Sequence, residues 1–374
     1  MAATAPIANP VRSGRVVNRF SLARVALLTT VGLVVAASGC GSHTSEQGGL
    51  HPFLTESEWS VQFDTGIVGH PAGFSPDGKW FVATGAGDEV AVLNVRDGSV
   101  VKKWNTGQTA DEFSGLIAQI SPDGRYLATG GESPGLIVWD FKTFEEISSA
   151  SLAREPDPRL NLGTDFSITS INWAPSSDAI VTTANGPNEA HVWNPKDGSL
   201  VRTLTGHSEF AIAASYVLGG DFIATASDDR TVRLWDTKDF SQAAALSAHP
   251  DRIWKMGVSN DGKKLATGGA FTWEDREGIV IWDIEQRKPL HKFRTDYEIE
   301  QMLFSPDDQH IMWADRYECQ VWNLRDGKRQ LYGKVMNFKF DPGIKFSADK
   351  NHVGVRDRQH RVFVLQRQTP VVEK

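Results

Sequence analysis

A short turn returns seven times along this chain at a nearly constant interval. FSPDG stands at Phe74–Gly78, ISPDG at Ile120–Gly124, WAPSS at Trp173–Ser177 and YVLGG at Tyr216–Gly220. VSNDG follows at Val258–Gly262, FSPDD at Phe304–Asp308 and FSADK at Phe346–Lys350. The intervals are 46, 53, 43, 42, 46 and 42 residues. A second marker keeps the same beat: Trp235, in ATASDDRTVRLWD (Ala224–Asp236), has counterparts at Leu93, Trp139, Trp193, Trp282, Trp322 and Leu365. A period of this length means one supersecondary unit that cannot bury its apolar face alone and must stack on copies of itself.

Each unit reads as four short strands. An apolar strand leads into the turn, as in IAQISPDG, and a second follows, as in RYLATGG. The third carries the aromatic, as in LIVWD, and a weaker fourth trails, as in EEISSA. Within the turns Pro presets φ, Asp bonds its own backbone and Gly takes positive φ. The sequence has 34 Gly and 12 Trp, with turn residues in clusters and no helical heptad pattern, which favours an all-β fold.

Units of this length marked by Gly-His and Trp-Asp resemble WD-repeat β-propellers, over about residues 58–367. The resemblance implies an all-β, seven-bladed β-propeller of four-stranded antiparallel blades. In the fourth unit, TGHSEFAIAASYVLGGDFIATASDDRTVRLWD, four residues match the family's structural tetrad: His207, Thr225, Asp229 and Trp235. The implied chain runs from indole N–H through hydroxyl and imidazole to carboxylate, tying three strands and a loop, with the Trp filling the gap between blades. This reading makes His207 structural rather than catalytic. Unit five keeps His249, Thr267 and Trp282; units one, six and seven lack the Gly-His, and units one and seven carry Leu for Trp.

The strand count suggests how the ring closes. The seventh unit ends at its third strand, RVFVLQR (Arg361–Arg367), while EWSVQFDT (Glu58–Thr65) is a strand without a unit. Pairing the two makes the N-terminal strand the outer strand of the last blade and removes the open edge.

Residues 1–39 read as a signal peptide. Arg12, Arg15, Arg19 and Arg24 precede the uncharged run VALLTTVGLVVAAS (Val25–Ser38), and small residues lead to Cys40. That run is shorter than the ~20 residues a spanning helix needs. The ASGC sequence resembles a bacterial lipobox, which implies lipidation of Cys40 and a membrane-anchored, extracytoplasmic protein in the cell envelope. Ala37 stands where that family more often has Leu. Residues 40–57 form a polar tether, 58–367 the propeller and 368–374 a tail. Removing residues 1–39 removes four Arg and no acid, moving the formal charge from −7 to −11. An acidic domain lacks the electrostatic footprint of a nucleic-acid binder. With Cys40 lipidated, Cys319 has no disulfide partner and reads as a buried apolar thiol.

The sequence contains no P-loop, nucleophile elbow, H-E-x-x-H or paired zinc cysteines, so no catalytic residue, metal or cofactor is expected. In the family, second-to-third and fourth-to-first connections open on one rim. The long segments fall there: Asn105–Gly115, Ser151–Ser167, Ala184–Ala190, Gly269–Gly278 and Arg294–Glu300. Loops on a rigid scaffold are the usual carriers of binding. Phe271 and Trp273, beside Glu274 and Asp275, suit a protein or peptide interface, or they pack inward over the propeller mouth. Arg154, Arg159 and Phe166 are further partner-binding candidates, or belong to a solvated loop. The opposite rim, made of short turns, is expected to offer little apolar area. The leading expectation is a non-enzymatic scaffold. The alternative is an enzyme or small-ligand sensor with its site in the central channel, for which Glu298, Glu300 and Asn337 are the nearest candidates.

Overall fold

The computed structural model describes residues 59–85, 87–108, 116–131, 135–151, 167–186, 188–247, 249–269, 278–315, 318–334, 344–356 and 360–367. These are almost entirely antiparallel strands; the one helical segment among them is the single 3-10 turn Leu218–Gly220. It stands at the YVLGG variant, in place of the Ser-x-Asp turn of units one, two, five, six and seven.

Units two to six are each one four-stranded antiparallel sheet with strands in sequence order. Unit four shows the pattern: Ala211–Val217, Phe222–Ser227, Val232–Asp236 and Gln242–Leu246. The second and third strands are buried along most of their length, as in Leu136–Asp140 and Ile279–Asp283, because neighbouring sheets cover both faces. That burial explains their unbroken apolar runs. The fourth strands, such as Val100–Asn105, lie mostly exposed, which explains their Lys and Arg content.

The turns that set the period are held by one recurring device. Ser75 donates to Asp77 at 2.6 Å, while its hydroxyl accepts from the Trp80 N–H at 3.0 Å. The same Ser-to-Asp bond recurs at Ser121–Asp123, Ser259–Asp261, Ser305–Asp307 and Ser347–Asp349. Burial alone would raise these aspartate pKa values. The Ser and backbone hydrogen bonds outweigh it, and each carboxyl is held below its ordinary value.

Among the described residues the apolar core divides into seven clusters, each spanning two units. Units one and two share Ala72, Val82, Leu127 and Trp139, and units three and four share Val181, Leu204, Ala214 and Trp235. Units six and seven share Met312, Val321, Val353 and Phe363. The remaining cluster joins the last unit to the first, with Val362 and Val364 against Ile67, Phe81 and Leu93.

The N-terminal strand differs from the expected separate segment. Trp59–Phe74 is one bulged strand that belongs to two ladders. Trp59 to Val68 pair with Arg361–Arg367, and Gly69 to Phe74 pair with Trp80–Gly85. At the crossover a Cβ on Gly69 would collide with the Thr84 carbonyl oxygen, so only glycine fits. All-β architecture, repeated four-stranded antiparallel sheets and cores between consecutive units fit a β-propeller.

Candidate functional site

The four tetrad residues are brought together in unit four. Trp235 Nε1–H donates to Thr225 Oγ1 at 3.0 Å, and Thr225 Oγ1 lies 2.8 Å from His207 Nε2. His207 Nδ1 is 2.8 Å from Asp229 Oδ2. An ionised carboxylate only accepts, so Nδ1 carries the proton and Nε2 accepts from the Thr225 hydroxyl. Burial lowers the His207 pKa despite the Asp229 bond, keeping the ring neutral. Burial would raise the Asp229 pKa, but bonds from Thr231, His207 and Ser208 bring it below its ordinary value. Thr225 lies on the second strand, Trp235 on the third, and Asp229 and His207 on connections. The network therefore ties two strands and two connections, not three strands and a loop. The polar side-chain atoms of the four residues are all engaged with one another or with Thr231 and Ser208.

Unit two contains a version that a search for histidine overlooks. Trp139 Nε1–H donates to Thr129 Oγ1 at 3.0 Å, and Thr129 donates to Gln108 Oε1 at 2.6 Å. Gln108 Nε2 reaches the carbonyls of Gly135 and Thr129 at 3.2 and 3.3 Å. The signal was Gly107-Gln108, at the place of Gly206-His207. In unit five Trp282 bonds Thr267 at 2.9 Å, but His249 turns its Nδ1 to the Asp251 carbonyl at 2.7 Å.

A cavity of about 590 Å³ lies between the first strands of units one to five and is reached also by Lys345 of unit seven. Its polar lining includes His70, Gln119, Asn172, Lys255 and Lys345. Glu298 and Glu300 are not in this lining: Glu298 is exposed, and Glu300 is half-buried on Ile299–Phe304. Asn337 lies outside the described residues. No carboxylate lines the cavity among the described residues, and no group of three His, Cys, Asp or Glu there could hold a metal ion.

Between units one and two, on the short-turn side, Trp80, Val101, Tyr126, Phe141 and Phe144 line a cavity of about 680 Å³. Behind these turns Phe141 is buried, Trp80, Tyr126 and Phe144 are half-buried, and only Val101 is exposed. On the other side, Phe210 and Tyr297 are 44% and 42% exposed on fourth-to-first connections. The Asp228 N–H donates to the Phe210 carbonyl at 3.0 Å, fixing that connection. Beside it, burial raises the Asp228 pKa. Phe271, Trp273, Glu274, Asp275, Arg154, Arg159, Phe166 and Cys40 lie outside the described residues.

Two segments, residues 110–140 and 198–236, match the family model described as WD domain, G-beta repeat. The second contains the complete network of unit four. The chain is 26% identical over 222 residues to Periodic tryptophan protein 2 of Arabidopsis thaliana, covering 58% of this chain and 23% of that protein. It is 25% identical over 259 residues to Actin-interacting protein 1 of Drosophila melanogaster, covering 67% and 39% respectively. With Protein tipD of Dictyostelium discoideum the identity is 31% over 197 residues, 53% of this chain and 29% of that one. This chain thus spans well under half the length of each of these curated relatives. The repeats and the relatives support a WD-repeat family.

Proposed function

We propose that this chain, a WD-repeat protein by its repeats and relatives, is a non-enzymatic scaffold: a seven-bladed propeller that binds a protein or peptide partner through the rim with the long connections. The observation that carries the reading is the seventh core cluster. With Val362 and Val364 packed on Phe81 and Leu93, every unit has two neighbours, which supports a closed ring. The pairing of Trp59–Val68 with Arg361–Arg367 supports closure by the N-terminal strand. A ring of that kind is a rigid platform whose connections are free to vary. Phe210 and Tyr297 put exposed aromatic surface on the rim where the sequence leads one to expect Phe271 and Trp273, and aromatic anchors dominate interfaces. Actin-interacting protein 1 carries a protein partner in its name, in keeping with this class of role.

Cys40 after small residues supports a lipid anchor and an extracytoplasmic place in the cell envelope: the lipobox resemblance implies a diacylglyceryl group, whose two acyl chains suffice for stable membrane attachment. The test is capture of partners from solubilised membranes with the full chain and with a Phe271→Ala/Trp273→Ala variant. A partner held by the wild type and lost by a variant of unchanged Tm is the expected result. A lower Tm with capture intact would instead place these aromatics inside the fold and overturn their assignment. Cys40→Ser should move the protein from the detergent phase to the aqueous phase, and unchanged partitioning would overturn the anchor.

A further inference from the structure

The cavity between the first strands has an uneven hydrogen-bond balance. On one side the neutral polar groups are engaged with one another. Asn172 Nδ2–H donates to the Ala214 carbonyl at 2.7 Å, and Gln119 Oε1 accepts from the Trp173 N–H at 3.2 Å. Thr84 donates to the Leu116 carbonyl at 2.9 Å, and Ser170 lies 2.7 Å from Thr183. The first three bind unit to unit, the last lies within unit three, and together they leave little for a ligand.

The capacity that remains is cationic. Lys255 of unit five and Lys345 of unit seven face the cavity, and neither ammonium has a hydrogen bond or ion pair among the described residues. Lys345 stays open to the lumen, yet the protein around it desolvates the ammonium and lowers its pKa. His70, also in the lining, stands 2.8 Å from the guanidinium of Arg356, which is only 5% exposed. So a third positive charge sits directly behind the wall. This occurs in a chain of net charge −7, where chance would favour acids.

We propose that this cavity binds a small organic oxyanion, a molecule bearing carboxylate or phosphate groups, held between Lys255 and Lys345 beside the His70–Arg356 pair. The volume, about 590 Å³, lies within the range of small-molecule sites. Charge-assisted bonds from ammonium to oxyanion are about twice as strong as neutral ones. An anion would use donors that have no partner among the described residues. The site is independent of the rim, so its failure would leave the partner-binding proposal standing, and the reverse holds.

Isothermal titration of the full chain in detergent with citrate, and separately with pyrophosphate, at matched ionic strength, tests this. At least one probe should bind with saturation. Lys255→Met and Lys345→Met keep the aliphatic stem and should each weaken binding about tenfold or more, the usual worth of a bond to a charged group. Lys345→Arg should retain binding, and Lys196→Met, on an exposed turn, should leave it unchanged. Which probe binds identifies the head group as carboxylate or phosphate. If Lys345→Met does not fold, Lys255→Met alone decides. Absence of saturable binding by both probes, or binding that survives both Met substitutions, would overturn the proposal.

Discussion

His207→Ala is the most direct test of how a unit is held together. The substitution removes the acceptor of the Thr225 hydroxyl and one donor to Asp229. Asp229 does not become an orphan, because Thr231 Oγ1 donates to it at 2.6 Å, the Thr231 N–H at 3.0 Å and the Ser208 N–H at 3.1 Å. Thr225 keeps the Trp235 indole as donor but loses the acceptor of its own hydroxyl proton, in a site where it is 1% exposed. One buried hydroxyl proton left without an acceptor costs about 1–3 kcal/mol, and the lost charge-assisted bond and the void left by the ring add to it. A loss of about 3 kcal/mol is therefore expected in urea denaturation. His207→Gln should cost about half as much, because Gln108 already performs this task on Thr129 in unit two. The amide oxygen can accept from Thr225 and the amide nitrogen can donate to Asp229. Hydrogen exchange at the Trp235 indole, which donates to the same hydroxyl, reports locally on whether the network persists. If Gln is as damaging as Ala, the two networks are not equivalent. If Ala costs nothing, the tetrad does not hold the unit.

Three further outcomes follow from the packing and the titrating groups. Gly98→Ala should destabilise more than Gly78→Ala: both have φ of +71°, but a Cβ on Gly98 would meet Phe63 Cγ at 2.7 Å whereas Gly78 faces open space. The clash adds to the roughly 1–2 kcal/mol of left-handed strain, and equal losses in denaturation would mean that Phe63 and the seam strand are not packed there. Deleting residues 41–65 should lower Tm, because the strand paired with Arg361–Arg367 is lost; an unchanged Tm would show that another segment covers that edge. Acid should destabilise in two stages. His191, His207 and His249 have pKa values lowered chiefly by burial, so the unfolded chain takes up protons first and stability falls as pH drops below about 6.5. The lowered carboxyls of the Ser-x-Asp turns contribute fully above about pH 3.9, the unfolded value, and their contribution is lost as pH falls through the folded values. A flat unfolding free energy between pH 7 and pH 5 would refute the first stage.

The period was legible because its causes are local. Each Ser-x-Asp turn is made by residues two to five apart, so the chain shows it without any tertiary information. The unbroken apolar runs of the second and third strands were legible for a similar reason: burial on both faces removes any need to know which way a side chain points. The channel was not legible, and the reason is in the register. The first strands carry bulges at Pro71/Gly73, Ala211/Ala213, Ile253/Lys255 and Ile299/Gln301. One extra residue reverses which side chains face inward. Strict alternation therefore misassigns the inner face: Glu298 and Glu300, the nearest candidates of the alternative reading, lie outside the cavity that His70 and Lys255 line. Gln108 was missed for a different reason: its role depends on a carbonyl and an amide whose spacing only the folded connection sets.

The same register explains why the repeat tolerates decay. Trp235 lies opposite Ile223, and Thr225 stands two residues further along that strand. At the matching places units two, three and five have Thr129 with Trp139, Thr182 with Trp193 and Thr267 with Trp282, and each indole donates to its threonine. Unit one has Leu93 opposite Phe81, which puts Ala83 at the threonine place. Unit seven has Leu365 opposite Val353, which puts Val355 there. The tryptophan and the threonine have been replaced together. Losing one partner strands a buried donor or acceptor, while replacing both with apolar groups is close to neutral. Unit six takes a third course: Trp313 occupies the threonine place and stacks on Trp322 at 5.4 Å and 14°, and the Trp322 indole donates to Gln320 at 3.1 Å. What is kept from unit to unit is the rule that the indole on the third strand must have an acceptor or be absent. A sequence can lose its Trp-Asp and Gly-His marks under that rule while each interface between units stays filled.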